Sequence, residues 1–535
     1  MLKVNSKNKI ELRDASEVMK LSRMGSFHQS RLSFMRILMR QLKDEKWTFK
    51  KVEFAINEKG IGHAVYSAIG PHNTYSLVAF AHELSDDKRS DRVIADAWDA
   101  TFTLFDGVPT IQDIERLQKN VPFQEVGRIS EKELCLSRAN KSVRLWEHVI
   151  STLSNGSQPD VNQIDSVGYL MRTTAVYGSG KFGAIDRDFV LDRKEFAAPF
   201  QSELLSVFMI RWFVLDLVNF MAKVRNPEKF VPLQPDIAHR LGIGNSTGLG
   251  MAPFLLNHPI LLNNWILARE TALSRVRSIQ QATDREVKLF LELFKRSCSL
   301  ISLWRSDHEL QIQKLKELGN DLELLTVHLT EFTLKSQYPW DKLHNWSIKN
   351  LSIEGQELIV SLMMEPYGHI IDDLSATMSD NTQSYEKIDG LKTVGEIKAQ
   401  LQDVYSWIFK IDWKRNDTKA RAWYVSQEKL EPRLGERFSE PVEDYEQPLS
   451  PARDAYLLSL ALNNSDEKML MAKFLMKYPE HRHTIRRLQI ISDNPYAEIQ
   501  DNTVSSELLP IDMLRCKLSF FGAIHFDPRS DRWVR

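Results

Sequence analysis

Two glycine-bearing segments hold the residues best suited to chemistry. The first, Gly178-Ser179-Gly180-Lys181-Phe182-Gly183, follows the run LMRTTAVY, which contains Arg172, Thr173 and Thr174. Glycines expose backbone N–H groups that can converge on an anion, and nearby guanidinium, ammonium and hydroxyl groups add charge-assisted hydrogen bonds. A small carboxylate or phosphate suits such a set. Arg172, Thr173, Thr174, Ser179 and Lys181 are therefore candidate substrate-binding residues. The competing reading is a glycine-rich turn with Arg172 salt-bridged locally.

The second segment, Gly242-Ile-Gly244-Asn-Ser-Thr-Gly248-Leu-Gly250-Met-Ala-Pro253, places four glycines with Asn245, Ser246 and Thr247 between two apolar stretches. It leads through Asn257 and His258 to Pro259, a residue suited to the first turn of a helix. The positive end of that helix favours an anion. His258 titrates near neutral pH, so it is the candidate general acid or base, and Asn245, Ser246, Thr247 and Asn257 are further candidate ligands. A shared ligand would bring both segments together. A plain helix-to-helix connector is the alternative.

Other chemistries lack their signatures. The G-x-G-x-x-G spacing at 178–183 is followed by AIDRDFVLDRKEF and a long helix, which is the wrong context for a dinucleotide site. Ala175 and Phe182 stand where a Walker loop needs glycine and a hydroxyl residue. Glu365, His369, Asp372 and Asp373 could ligate a metal, but Pro366 and Gly368 break the helical spacing that such sites use, so no metal site is assigned. Glu480, His481 and His483 read as a solvated helix start. No cofactor is indicated. The three cysteines are widely separated, which suits a reducing compartment, and the N-terminus lacks the apolar core of a secretory leader; the expected location is the cytoplasm.

Charge narrows the partners. Seventy Lys and Arg against 71 Asp and Glu give a net charge of -1, so no overall field draws the chain to nucleic acid or an anionic bilayer. Locally, residues 1–50 carry twelve basic against five acidic residues. The stretch HQSRLSFMRILMRQLKD predicts an amphipathic helix with Arg31, Arg36 and Arg40 off the apolar stripe. Residues 1–25 have little apolar surface, and their deletion is expected to leave the fold intact. The longest apolar run, Leu204 to Ala222, approaches the length of a membrane span, but Arg211, Asp216 and Asn219 interrupt it. It reads as the central helix of a bundle, and no membrane association is expected.

The elements that must position these residues follow from periodicity. KVEFAIN, GHAVYSAI and TYSLVAFAHEL alternate with period two between turn-forming EKG and GPHN, predicting a three-stranded antiparallel meander. Helix is predicted for Trp98 to Phe105 and for SEKELCLSRANKSVRLWEHVISTL, where Ser130 and Glu133 have capping-box spacing. Thr283 and Glu286 repeat that spacing, so helices are placed near 259–281, 283–305 and 307–335. NWSIKNLSIEGQELIVSLMMEPYG predicts two strands, ARAWYVSQ another, 428–446 an exposed acidic connector, and LSFFGAIHF-DPRSD-RWVR a closing strand pair.

The expected fold class is α+β, predominantly α-helical, with a central long-helix bundle flanked by smaller units with antiparallel strands. The expected domains are 1–158, an α+β unit with the meander; 159–340, a helical unit with both glycine-rich segments; and 341–535, a second α+β unit. The functional expectation is a soluble cytoplasmic enzyme acting on a small anionic metabolite, with lyase-like general acid/base chemistry as one form. The alternative is a non-catalytic binding or regulatory protein that uses the basic N-terminal helix on an acidic partner. Both are compatible with a homo-oligomer.

Overall fold

The computed structural model describes residues 10–85, 97–122, 130–167, 169–177, 190, 192–241, 259–302, 309–379, 387–413, 423–425, 432–433, 445–446, 450–498 and 519–521. The fold is α+β and predominantly helical, with a six-stranded antiparallel sheet. The chain forms two compact units. One comprises Met1–Leu32, Met251–Phe520 and Arg535, the other Ser33–Gly250 and Phe521–Val534.

In the second of these, the sheet is a simple meander in chain order: β1 (Thr48–Ile56), β2 (Gly62–Ile69), β3 (Thr74–Ala81), β4 (Ala100–Asp106), β5 (Glu133–Lys141) and β6 (Met171–Tyr177). The expected three strands are its first three. The Asn57–Gly60 turn between β1 and β2 is closed by the Gly60 amide on the Asn57 carbonyl, with Gly60 at φ +79°. The longer helices of this unit are α1 (Phe34–Asp44), α2 (Ile111–Asn120), α3 (Trp146–Ser154) and α4 (Gln201–Arg225). On one face, Val65, Val78, Phe80 and Leu136 form a core with Ile114 and Leu117 of α2. On the other, Tyr66 and Phe102 meet Phe213 of α4 edge-on.

Two helix expectations are corrected here. The stretch 98–105 contains β4, and β5 occupies 133–141, leaving only α3 from the longer predicted helix. Both strands are covered on both faces, which suppresses the alternation that marks a half-buried strand. The Ser130–Glu133 contact exists, at 3.2 Å, but in a turn entering β5, and the buried Glu133 carboxylate takes Arg116 at 2.5 Å.

The apolar run expected in a bundle is α4, and it packs across the sheet and on α3 instead. It is long and apolar enough to cross a membrane, yet mostly buried inside the protein. Each polar interruption has a partner. Arg211 donates to the Ala238 carbonyl at 3.0 Å, Asp216 accepts from Tyr66 at 2.8 Å and pairs with Lys51 at 3.1 Å, and Asn219 accepts from the Leu233 amide at 2.9 Å. The helix stops at Arg225, before the Asn226-Pro227 break.

The other unit is helical: α5 (Pro259–Arg277), α6 (Asp284–Ile301), α7 (Glu309–Glu331), α8 (Pro339–Asn350), α9 (Ile353–Met364), α10 (Val394–Val404), α11 (Ser450–Asn463), α12 (Met471–Lys477) and α13 (Arg482–Ser492). Thr283 and Glu286 form the expected reciprocal cap on α6. The two strands expected between 345 and 368 are helical instead. Ser352 caps α9 through the Gly355 amide and is itself held by Asp321, while α9 is buried from Glu354 to Met364, so its helically spaced polar residues Glu354, Glu357 and Ser361 do not mark an exposed face. The expected strand near 420–427 is β7 (Trp423–Val425), paired with β8 (Pro432–Arg433) and β9 (Tyr445–Glu446) inside the predicted connector. Residues 519–521 are helical, and the rest of the predicted closing strand pair lies outside the described residues.

The N-terminal residues also depart from expectation. Val18, Met19, Met24, Phe27 and Leu32 are buried, and Arg13 and Arg23 reach buried carboxylates of α5 and α9. Residues 10–25 pack against this unit with buried side chains, so their deletion removes packing and charge pairing together.

Candidate functional site

β6 carries Arg172, Thr173 and Thr174 into the glycine segment. Its register with β5 pairs Asn140 with Arg172, Ala139 with Thr173, Arg138 with Ala175 and Leu136 with Tyr177. Neighbours on a strand project to opposite faces. Arg172 therefore shares a face with Asn140 and Arg138, while the fully buried Thr173 lies beside Ala139 on the other. Arg172 lies near the start of β6, five residues before the strand ends at Tyr177. Ser179 and Lys181 lie outside the described residues, as do Asn245, Ser246, Thr247, Asn257 and His258.

The sheet end around Arg172 is polar and internally braced. Arg138 stacks on Trp98, 4.2 Å from the ring centre, and Arg172 lies 6.0 Å from the centre of the Tyr169 ring. Asp99 accepts from the Lys141 amide at 2.9 Å, and its own amide donates to Asn140 at the same distance. His82 contacts the Thr101 hydroxyl at 3.0 Å; burial draws its pKa down, against the pull of Asp99.

The opposite sheet end receives the chain on its return from the glycine segment. Glu195, almost fully buried, accepts from Tyr75 at 2.5 Å and from Asn73 at 2.7 Å on the same oxygen. Arg193 donates to the Tyr75 hydroxyl at 3.2 Å and to Asp106 at 2.7 Å. Trp47 stacks on Tyr75, with ring centres 5.8 Å apart. Burial and Glu195 push the Tyr75 pKa well up, so its hydroxyl stays a donor, and the bond to Asp106 raises that of Arg193. This cluster was not visible in the sequence: Tyr75 and Glu195 are 120 residues apart, and no local spacing links them.

The basic N-terminal helix does not present its arginines as expected. Arg36 is 1% exposed, because α1 is enclosed nearly all round, and Arg31 is engaged by both oxygens of Asp372 at 3.0 and 2.6 Å. Asp373 pairs with Arg275 at 2.7 Å. Among the described residues, no group of three or more His, Cys, Asp or Glu is placed to hold a metal ion.

Comparison with protein-family models, with curated proteins and with solved structures finds no match to this chain.

Proposed function

We propose that the chain is a cytoplasmic enzyme that binds a small anionic metabolite, a carboxylate or phosphate, through residues 178–183, with Lys181 supplying the charge and Ser179 and the glycine amides the hydrogen bonds. One observation carries the reading. β6 runs toward the sheet end marked by Asp106, and the chain is fixed again at that end by Arg193 on Asp106 and by Glu195 on Tyr75 and Asn73. The described residues on either side, Tyr177 at the end of β6 and Arg193 with Glu195, are thus held on one sheet, and a backbone site between them would need such anchoring. Cys135 and Cys298 are not in a disulfide among the described residues, which fits a reducing compartment.

The alternative, an acidic partner docked on the N-terminal arginines, is weakened by the burial of Arg36 and the Arg31–Asp372 pair. Calorimetric titration with inorganic phosphate and a panel of mono- and dicarboxylates tests the proposal. Lys181→Ala should raise the Kd of the binding anion roughly ten- to over a hundredfold, the effect of losing ~1.5–3 kcal/mol, while Arg172→Ala, at the far end of β6, should not. No binding by the wild-type chain, or equal losses in both variants, overturns it.

A further inference from the structure

Residues 10–32 behave chemically as a peptide docked in a groove of their own unit. Their regular structure is two four-residue helical turns, Ala15–Val18 and Leu21–Met24. Isolated helices that short do not persist in water, so the order of this segment comes from what it lies against. Its apolar anchors are Val18, Met19, Met24, Phe27 and Leu32.

Three arginines, one before the anchors and two among them, meet acidic groups of the unit, Arg13 and Arg23 sharing Glu357. Arg13 forks onto Glu270 at 2.8 and 2.7 Å and reaches Glu357 at 2.7 Å. Arg23 donates to Glu357 at 2.8 Å and to Gln356 at 3.2 Å, and Arg31 forks onto Asp372. The groove also reads the backbone. Tyr496 donates to the Arg13 carbonyl at 2.7 Å, Ser361 to that of His28 at 3.1 Å, and Trp265 to that of Leu32 at 3.0 Å. Fork-to-carboxylate pairs combined with main-chain contacts and apolar anchors are the means by which proteins recognise extended peptides.

We propose that residues 10–32 are a releasable strap, and that the groove lined by Glu270, Glu357, Asp372 and Trp265 is a receptor for an arginine-bearing peptide, occupied in this structure by the chain's own N-terminal segment. Release leaves Glu270 and Glu357 with Arg269 as their close cation among the other described residues, an acidic surface that a second peptide of the same pattern refills. The inference is independent of the anion site.

The test uses the full chain and a fluorescein-labelled peptide of residues 10–32. Wild-type protein, its groove filled, should not take up the peptide. A full-length Arg13→Ala, Arg23→Ala, Arg31→Ala variant should bind it, and binding should weaken about tenfold or more when the peptide carries the same three substitutions. A variant with native circular dichroism that ignores the peptide overturns the proposal. Hydrogen exchange on the unmodified protein decides independently of how the variant folds. Strap amides should exchange about tenfold or more faster than those of α9, through local opening. Equal rates would make the strap inseparable from the core and end the idea.

Discussion

Arg269 and Glu357 form an ion pair at 2.6 Å in which neither side chain is exposed. The second oxygen of Glu357 accepts from Arg13 at 2.7 Å and Arg23 at 2.8 Å, and Arg269 also contacts Glu270 at 3.1 Å. Arg269 lies 3.9 Å from the centre of the Phe27 ring, so its flat face is covered as well. Burial alone would raise the Glu357 pKa, but Arg13 and Arg269 outweigh it and hold the carboxyl well below its usual range. The position of each group in this cluster is set by the others.

Replacing Glu357 should therefore be far more damaging than a surface substitution. Glu357→Gln keeps the shape but leaves three guanidinium groups around a neutral amide, and removing one member of a buried pair costs ~3–5 kcal/mol. Urea unfolding monitored by tryptophan fluorescence measures it. A loss below about 1 kcal/mol would mean that water reaches the cluster and screens it.

His344 sets a pH dependence in the same unit. Burial, reinforced by Arg277 and Arg13, lowers its pKa to about 3 from the ordinary 6.5. As pH falls below 6.5 the unfolded chain takes up the proton first, so the stability His344 contributes is complete above 6.5 and lost progressively toward pH 3. The slope should approach ~1.4 kcal/mol per pH unit. Glu357 begins to act in the same direction only below its ordinary value of 4.5. Melts between pH 6.5 and 4.5 should thus flatten in His344→Gln, with a residual slope from His82, His328 and His481, which are shifted the same way.

What the sequence disclosed depended on how its elements are covered. The cap at Thr283 and the turns of the first hairpins are local chemistry, readable residue by residue, and both appear. β5 and α9 are buried along nearly their whole length, with Glu133, Arg138, Glu354 and Glu357 included, so polarity in the sequence does not mark an exposed face in either. Arg36 sat at a polar position of an amphipathic pattern, yet only the fold determines that α1 is covered there too. Arg172 lies near the start of β6, while Lys181 lies outside the described residues, so the grouping of the two rests on the sequence alone.

The seating of α4 on the sheet gives a third prediction. Phe213 is fully buried and meets Phe102 and Tyr66 at ring-centre distances of 5.5 and 6.5 Å. Phe213→Ala should cost ~3–5 kcal/mol through lost burial and the cavity left behind. Asp216→Asn, which keeps an acceptor for Tyr66 and gives up only the half-exposed Lys51 pair, should cost about 1 kcal/mol or less. Thermal melts should rank them in that order, and the reverse ranking would mean that the charge rather than the aromatic contact seats the helix.

The Tyr75–Glu195 bond provides the last prediction, because it couples stability to the proposed site without belonging to it. Glu195 is buried, and its bonded oxygen takes two donors, Tyr75 and Asn73; Tyr75→Phe removes one of them and also strips Arg193 of a partner. Leaving a buried acceptor short of a donor costs ~1–3 kcal/mol, which urea unfolding reads directly. Arg193 keeps Asp106, so the return of the chain to the sheet is loosened and not abolished. Anion affinity should then fall severalfold, less than for Lys181→Ala, while Asn73→Ala should act in the same direction through the same carboxylate. If Tyr75→Phe lowers stability and leaves the Kd untouched, the tether at this sheet end does not organise residues 178–183, and the anion site must be held by other contacts.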